Sequence, residues 1–129
     1  MGAAGERPRR VPPAALPLDA GLVARVLSIS TDLMLGSKVE AQLSAAGHEV
    51  TTSPSIEETT WDGKDLIVAD LDAENPEALV GLGIPVLGYY SHVDVATKEA
   101  AEAAGIDLAV PRSRMARELP ALAEKLLGG

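Results

Sequence analysis

The sequence predicts a three-layer α/β sandwich: one five-stranded parallel sheet with helices on both faces. Three observations carry that reading. From Ala24 onward, short apolar runs alternate with longer amphipathic stretches, the pattern of repeated strand and crossover units. The third run, "KDLIVAD", is apolar on successive residues, as a strand covered by helices on both sides must be. A chain of 129 residues has room for one domain with a genuine core, not two.

The elements follow in order. "ARVLSIS" is the first strand, with Val26, Leu27 and Ile29 as its apolar β-formers. In "STDLMLGSKVEAQLSAAG" Leu35, Val39, Leu43 and Ala46 fall on one helical face. Ser37 and Glu40 have the spacing of a capping box, and Gly47 is placed to end the helix in a left-handed turn. "HEVTTSP" reads as a shorter strand near a sheet edge. "SIEETTWDG" is too short and polar for an amphipathic helix and predicts one ragged turn, with Trp61 as a lid over the sheet edge.

After the "KDLIVAD" strand comes a short helix with Asn75 as N-cap, Pro76 at its first position and Gly83 as its stop. "IPVLGYY" is the fourth strand. "DVATKEAAEAAG" is a helix capped by Asp94 and closed by Gly105, and "IDLAV" is the fifth strand. In the last helix, "MARELPALAEKLL", Met115, Leu119, Leu122 and Leu126 share a face, and Pro120 either kinks it or marks its true start. Residues 1–22, with prolines at 12, 13 and 17, read as a mobile or extended tail ahead of a domain spanning 23–129.

Composition excludes several functions. At 47% apolar and 23% charged the chain is globular, and its net charge of -8 argues against nucleic acid as a partner. Without cysteine, neither disulfides nor thiolate metal sites nor thiol catalysis can contribute. No apolar run approaches a membrane span, and the N-terminus lacks the continuous apolar segment of a secretory signal, so no membrane partner is expected and the cytoplasm is the expected compartment. The charges are unevenly spread. Between Glu57 and Glu77 acids crowd around a single base, Lys64, whereas Arg112, Arg114 and Arg117 crowd near the C-terminus. These are either solvated faces or two rims of one cleft.

On a doubly wound sheet, ligands gather at the carboxyl ends of the strands where strand order reverses. In the flavodoxin-like order 2-1-3-4-5 that point lies between the first and third strands. The loops concerned are "STDLMLG", "DLDAEN", "YYSHVD" and "PRSR". Asp70 ends the third strand and Asp72 follows; an aspartate there can be a phosphate acceptor, a metal ligand or a polar stop that caps loop amides. Ser91, His92 and Asp94 invite a nucleophile, base and orienter reading, but residues so close in sequence rarely converge in a relay. His92 with Asp70 or Asp72 lacks a spacing that specifies a metal, so none is assigned. The hydroxyls of Ser30, Thr31 and Ser91 with Arg112 and Arg114 could converge on a phosphate or nucleotide. Leu33 and Met34 make a partner contact if exposed and close the core if buried.

Over about Ala24 to Leu127 the chain resembles the receiver (CheY-like) domain of bacterial response regulators, with the first helix, "LIVAD", "IPVL" and "AAGID" in register. The resemblance implies that Asp70 stands at the phosphoacceptor position. It implies a divalent metal held by an acidic pair after the first strand, where this chain has Ser30 and Thr31, with Asp32 one residue later. The family's small hydroxyl residue corresponds to Tyr90, with Ser91 beside it, and its lysine and proline to Arg112 and Ser113. Asp70 alone is kept cleanly. The expected function is therefore that of a stand-alone pseudo-receiver, not an enzyme and without a cofactor, that acts by binding another protein. Two alternatives stand beside it: a single-domain response regulator phosphorylated on Asp70 with Mg2+, and a small-anion or nucleotide-binding flavodoxin-like protein. The candidate ligand or partner residues are Ser30, Thr31, Asp32, Asp72, Tyr90, Ser91, His92, Arg112 and Arg114. Leu33 and Met34 are candidate partner contacts, and Asp70 and Asp72 weak metal candidates.

Overall fold

Side-chain alternation along each strand decides the layers. The computed structural model describes residues 24–91 and 95–127. Strands β1 (Arg25–Ile29), β2 (Glu49–Ser53), β3 (Leu66–Asp70), β4 (Val86–Tyr90) and β5 (Leu108–Pro111) form one sheet in the expected order β2-β1-β3-β4-β5, with every pairing parallel. Val26, Leu66, Val68, Leu87, Tyr89 and Val110 face one layer, built by Leu35, Val39 and Leu43 of α1 (Leu33–Ala45) and Met115, Leu119 and Leu122 of α4 (Arg112–Leu126). Leu27, Ile29, Ile67, Ala69, Val86 and Tyr90 face the other, covered by Leu79 of α2 (Pro76–Val80) and Ala101 of α3 (Val95–Ala104). No helix among the described residues is long and apolar enough to cross a membrane.

The unit after β2 carries no α-helix. A single 3₁₀ turn at Ile56–Glu58 stands in its place, as its polar sequence predicts, and Ile56 packs against the α2/α3 layer. Trp61 stays at the surface, 36% exposed, in the turn where its carbonyl accepts the Lys64 amide at 3.1 Å. That turn precedes β3 and so lies at the amino end of the sheet, opposite Asp70.

Two helix starts differ from expectation. The N-cap of α1 is Asp32, not Ser37: its Oδ1 accepts the amides of Met34 at 3.0 Å and Leu35 at 3.1 Å. A short carboxylate on extended backbone reaches both orphan donors and adds negative charge at the positive end of the helix, so it overrides the later Ser37/Glu40 pattern. Ser37 sits exposed inside α1. Gly47 closes the helix with φ 96°, as expected. The second difference is α4, which begins at Arg112 rather than Met115. The α2 start is as expected, Asn75 Oδ1 accepting from the Glu77 amide at 2.8 Å. The Asp94 cap and the reading of residues 1–22 lie outside the described residues.

Pro120 bends α4, with Glu118 at φ -119°, ψ 16°. Proline has no N–H, so the carbonyl four residues earlier, that of Ala116, loses its helical donor. Gln42 of α1 fills the gap, its Nε2 donating to Ala116 O at 3.0 Å. A Gln42→Ala variant leaves that carbonyl unsatisfied in a partly buried seam and is expected to lose about 1 kcal/mol. Urea denaturation should show a lower midpoint at unchanged slope.

Candidate functional site at the carboxyl ends of the strands

Strand register places the polar residues. Asp70 pairs with Tyr89, so both point to the α1/α4 face, and Ser30, one residue past the Ile29↔Ala69 pair, continues on that face beside them. Tyr90 points the other way. Its side chain is 4% exposed among the apolar residues under α2 and α3, which corrects its candidacy as a ligand residue. The residue that shares the Asp70 face is Tyr89. Its hydroxyl is buried without a hydrogen bond, and burial pushes the phenol up to about 12, with the neighbouring Ser30 hydroxyl acting against that shift. Ser28 Oγ, on the same face, is likewise buried and unpartnered.

Asp70 is folded into its own loop. Its Oδ1 accepts the Asp72 amide at 2.8 Å, and its carbonyl accepts the amides of Ala73 and Glu74 at 3.2 and 2.9 Å. Partial burial raises its pKa; the Asp72 amide opposes the shift and the Asp72 charge adds to it. Glu74 is also raised, by burial first and then by the charges of Glu57 and Asp70. Asp72 Oδ2 accepts both the amide of Ser91 at 2.8 Å and its hydroxyl at 2.6 Å, latching the β3–α2 loop to the end of β4. The Ser91 hydroxyl is thus tied to Asp72.

Arg112 does come to this end, where its guanidinium pairs with Asp32 Oδ2. The Leu35 amide and then Arg112 hold the Asp32 carboxyl below its ordinary value. Arg114 does not join it. Its Nε pairs with Glu118, one turn along α4, at 3.2 Å, so the expected pair of converging arginines is corrected to one. Four-residue spacing on a helix makes that local partner nearer than any ligand. Ser30 is also spent locally: its Oγ accepts the Asp32 amide at 3.0 Å and donates to the Asp32 carbonyl at 3.3 Å. Thr31 is exposed, and His92 lies outside the described residues.

The resemblance implies a divalent cation here, and the donors do not fit one. Ser30 and Thr31 offer hydroxyls where two carboxylates would be needed, Asp32 is committed to helix amides and a guanidinium, and Asp70 and Asp72 each bond within the loops. Among the described residues no group of three or more acidic or histidine side chains is arranged to hold a metal; His92, grouped with Asp70 or Asp72 in the sequence, lies outside them.

Leu33 and Met34 are 80% and 78% exposed, so they do not close the core. Beside them a cleft of about 450 Å³ opens between α1 and the start of α4, lined by Asp32, Met34, Lys38, Pro111, Arg112 and Ala116 among others. Three residues of this end escaped the sequence reading. Tyr89 could have been found from its parity with Asp70, Glu74 from its four-residue spacing after Asp70, and Lys38 from the same spacing after Met34.

The opposed shifts give a pH signature. A raised carboxylate destabilises the fold when ionised, so the Asp70 and Glu74 contributions improve as pH falls through their folded values toward the ordinary values of 3.8 and 4.5. The lowered Asp32 stabilises above 3.8 and is lost only as pH falls through its own folded value, below that. Asp70→Asn keeps the Oδ1 acceptor and removes the charge. It is expected to be more stable than the wild type at pH 7 and to converge with it near pH 4, read as denaturant midpoint against pH.

No protein-family model matches the chain, and no curated protein matches it in sequence. Solved structures do match. HP1043, an orphan response regulator of H. pylori, is 23% identical with a TM-score of 0.69, the match covering 81% of this chain and 96% of that one. The chemotaxis protein CheY4 of Vibrio cholerae is 17% identical at TM-score 0.69, covering 81% and 99%. NtrX of Brucella abortus, solved in complex with ADP, is 19% identical at TM-score 0.68; the match takes in 82% of this chain but only 27% of NtrX. At these identities the likeness establishes the fold, which is CheY-like.

Proposed function

We propose that on this receiver fold the chain is a signalling module that acts by binding another protein, and that Asp70 is a structural residue rather than a phosphoryl acceptor. One observation carries the reading: among the described residues the guanidinium that reaches the strand ends, that of Arg112, is paired with Asp32. A carboxylate attacks a phosphoryl anion only when cations offset the gathered negative charge. Here the residues that would bring a divalent ion are Ser30 and Thr31, and a rigid guanidinium shared with a second carboxylate does not replace it. Asp70 meanwhile bonds to its own loop. The exposed Leu33 and Met34 at the same end support binding as the output. The setting proposed is cytoplasmic.

The test uses magnesium and beryllofluoride, which mimics an aspartyl phosphate. Amide shifts of Asp70, Leu71, Asp72 and Tyr89 are the readout, since Trp61 sits at the far end of the sheet. No saturable change is expected. Saturable shifts centred on Asp70 and abolished by Asp70→Asn would overturn the proposal and restore the phosphorylatable reading.

A further inference from the structure

We infer that the cleft between the first turn of α1 and the start of α4 is a docking site for an acidic amphipathic segment of a partner protein, one that sets apolar side chains beside a carboxylate. This rests on the protein-binding reading above and names the chemistry of the partner. The apolar half of the argument is the rim and wall: Leu33 and Met34 are 80% and 78% exposed, and Met34, Leu35, Pro111 and Ala116 line the cleft. Two adjacent, almost fully exposed large apolar residues opening a helix gain by being covered, and methionine adapts its shape to what covers it.

The charge half fixes the sign of the occupant. The chain carries a net charge of -8, yet this cleft is cationic. Lys38 lines it with no ion pair among the described residues, one turn along α1 from Met34 and therefore on the same face. Arg112 lines it too, and the one acid of the lining, Asp32, is already neutralised by that arginine and by the α1 amides. The positive end of α4 opens beside it, Pro111 supplying no side-chain cap. A carboxylate that reaches Lys38 while its neighbouring leucine covers Met34 satisfies both features at once. A nucleic acid would meet the repulsion of the whole molecule, and an uncharged apolar segment would leave Lys38 without an ionic partner.

Three synthetic helical peptides test this against the full chain: one with leucines and glutamates along a single face, and two in which those glutamates are replaced by glutamine or by lysine. In amide-shift titrations the glutamate peptide is expected to give saturable changes at Met34, Leu35, Lys38, Ser113 and Ala116. Its affinity should fall about ten-fold with glutamine, with Lys38→Glu in the protein, or with Met34→Ser, as expected for loss of about one good contact. The lysine peptide should not bind. Both protein variants alter exposed side chains, and an unchanged thermal melt separates lost docking from lost folding. Equal binding of the glutamate and glutamine peptides, no effect of Lys38→Glu, or shifts centred elsewhere would overturn the inference. So would shifts at these amides on raising protein concentration alone, which would mean that a second copy covers the cleft. The beryllofluoride experiment separates the two claims. Silence there with no peptide binding removes the docking site and leaves the reading of Asp70, whereas an Asp70-dependent response with peptide binding does the reverse.

Discussion

Replacing Leu79 by alanine is expected to cost about 2–5 kcal/mol, the range for truncating a fully buried leucine. The helix it belongs to makes the case acute. At five residues α2 is far shorter than a helix that holds itself together in water. It starts well, with Asn75 capping Glu77 and Pro76 at its first position, but Leu79 is its one buried residue. That side chain joins Ile67, Val86, Ala101 and Ile106 in the layer beneath α2 and α3. Truncation therefore leaves a void and removes the one fully buried anchor together, and the partly buried Val80 is the remaining apolar contact of α2 with this layer. Urea denaturation should show the global loss, and amide exchange at Glu77 to Gly81 should approach that of an unfolded segment. The control is Ala78→Ser, an exposed change on the same helix, which is expected to move the midpoint by less than about 0.5 kcal/mol. A loss below 1 kcal/mol in Leu79→Ala would mean that the caps, not the core, hold α2.

The strands were legible because burial on both faces writes itself into consecutive residues: "LIVAD" has no other sensible reading than a covered parallel strand. The order of the sheet followed from the resemblance and the alternation of units. What failed was local competition. Ser37 and Glu40 have the right spacing for a capping box, but Asp32 comes first in the chain and reaches the amides of Met34 and Leu35, so the helix is already under way at Ser37. Correspondence with the family's hydroxyl residue points to Tyr90, whereas parity along β4 sends it to the opposite layer and brings Tyr89 to Asp70. The bond from Gln42 to Ala116 was out of reach, because it joins helices at opposite ends of the chain across a gap that only Pro120 opens. The exposure of Leu33 and Met34 was equally hidden, since an apolar residue in a loop has two fates and tertiary packing chooses between them.

Gly88→Ala is the change in the sheet expected to reach the Asp70 loop. Gly88 lies in the middle of β4, paired with Ala69 on one side and Ala109 on the other. Glycine inside a strand often marks a close approach, and a methyl group added here would stand 2.7 Å from both Cγ and Cδ1 of Leu71 and 2.8 Å from its Cδ2. Because the clash includes Cγ, rotating a terminal methyl does not relieve it; the whole Leu71 side chain must leave. Leu71 follows Asp70 directly, is 8% exposed, and its amide donates to Tyr89 O at 2.8 Å. Moving it disturbs the turn in which Asp72 bonds Asp70 and Ser91. The expected loss is about 1–3 kcal/mol, the usual cost of overpacking a filled core. Amide shifts should spread from Leu71 to Asp72 and Ser91. A double-mutant cycle isolates the cause: Leu71→Ala clears the space, so the combined variant is expected to be less destabilised than the sum of the two, by about 0.5–3 kcal/mol of coupling. Strict additivity would show that Leu71 does not rest on Gly88 in solution, and the path from the middle of β4 to the Asp70 turn would have to run through the backbone bond between Leu71 and Tyr89 instead.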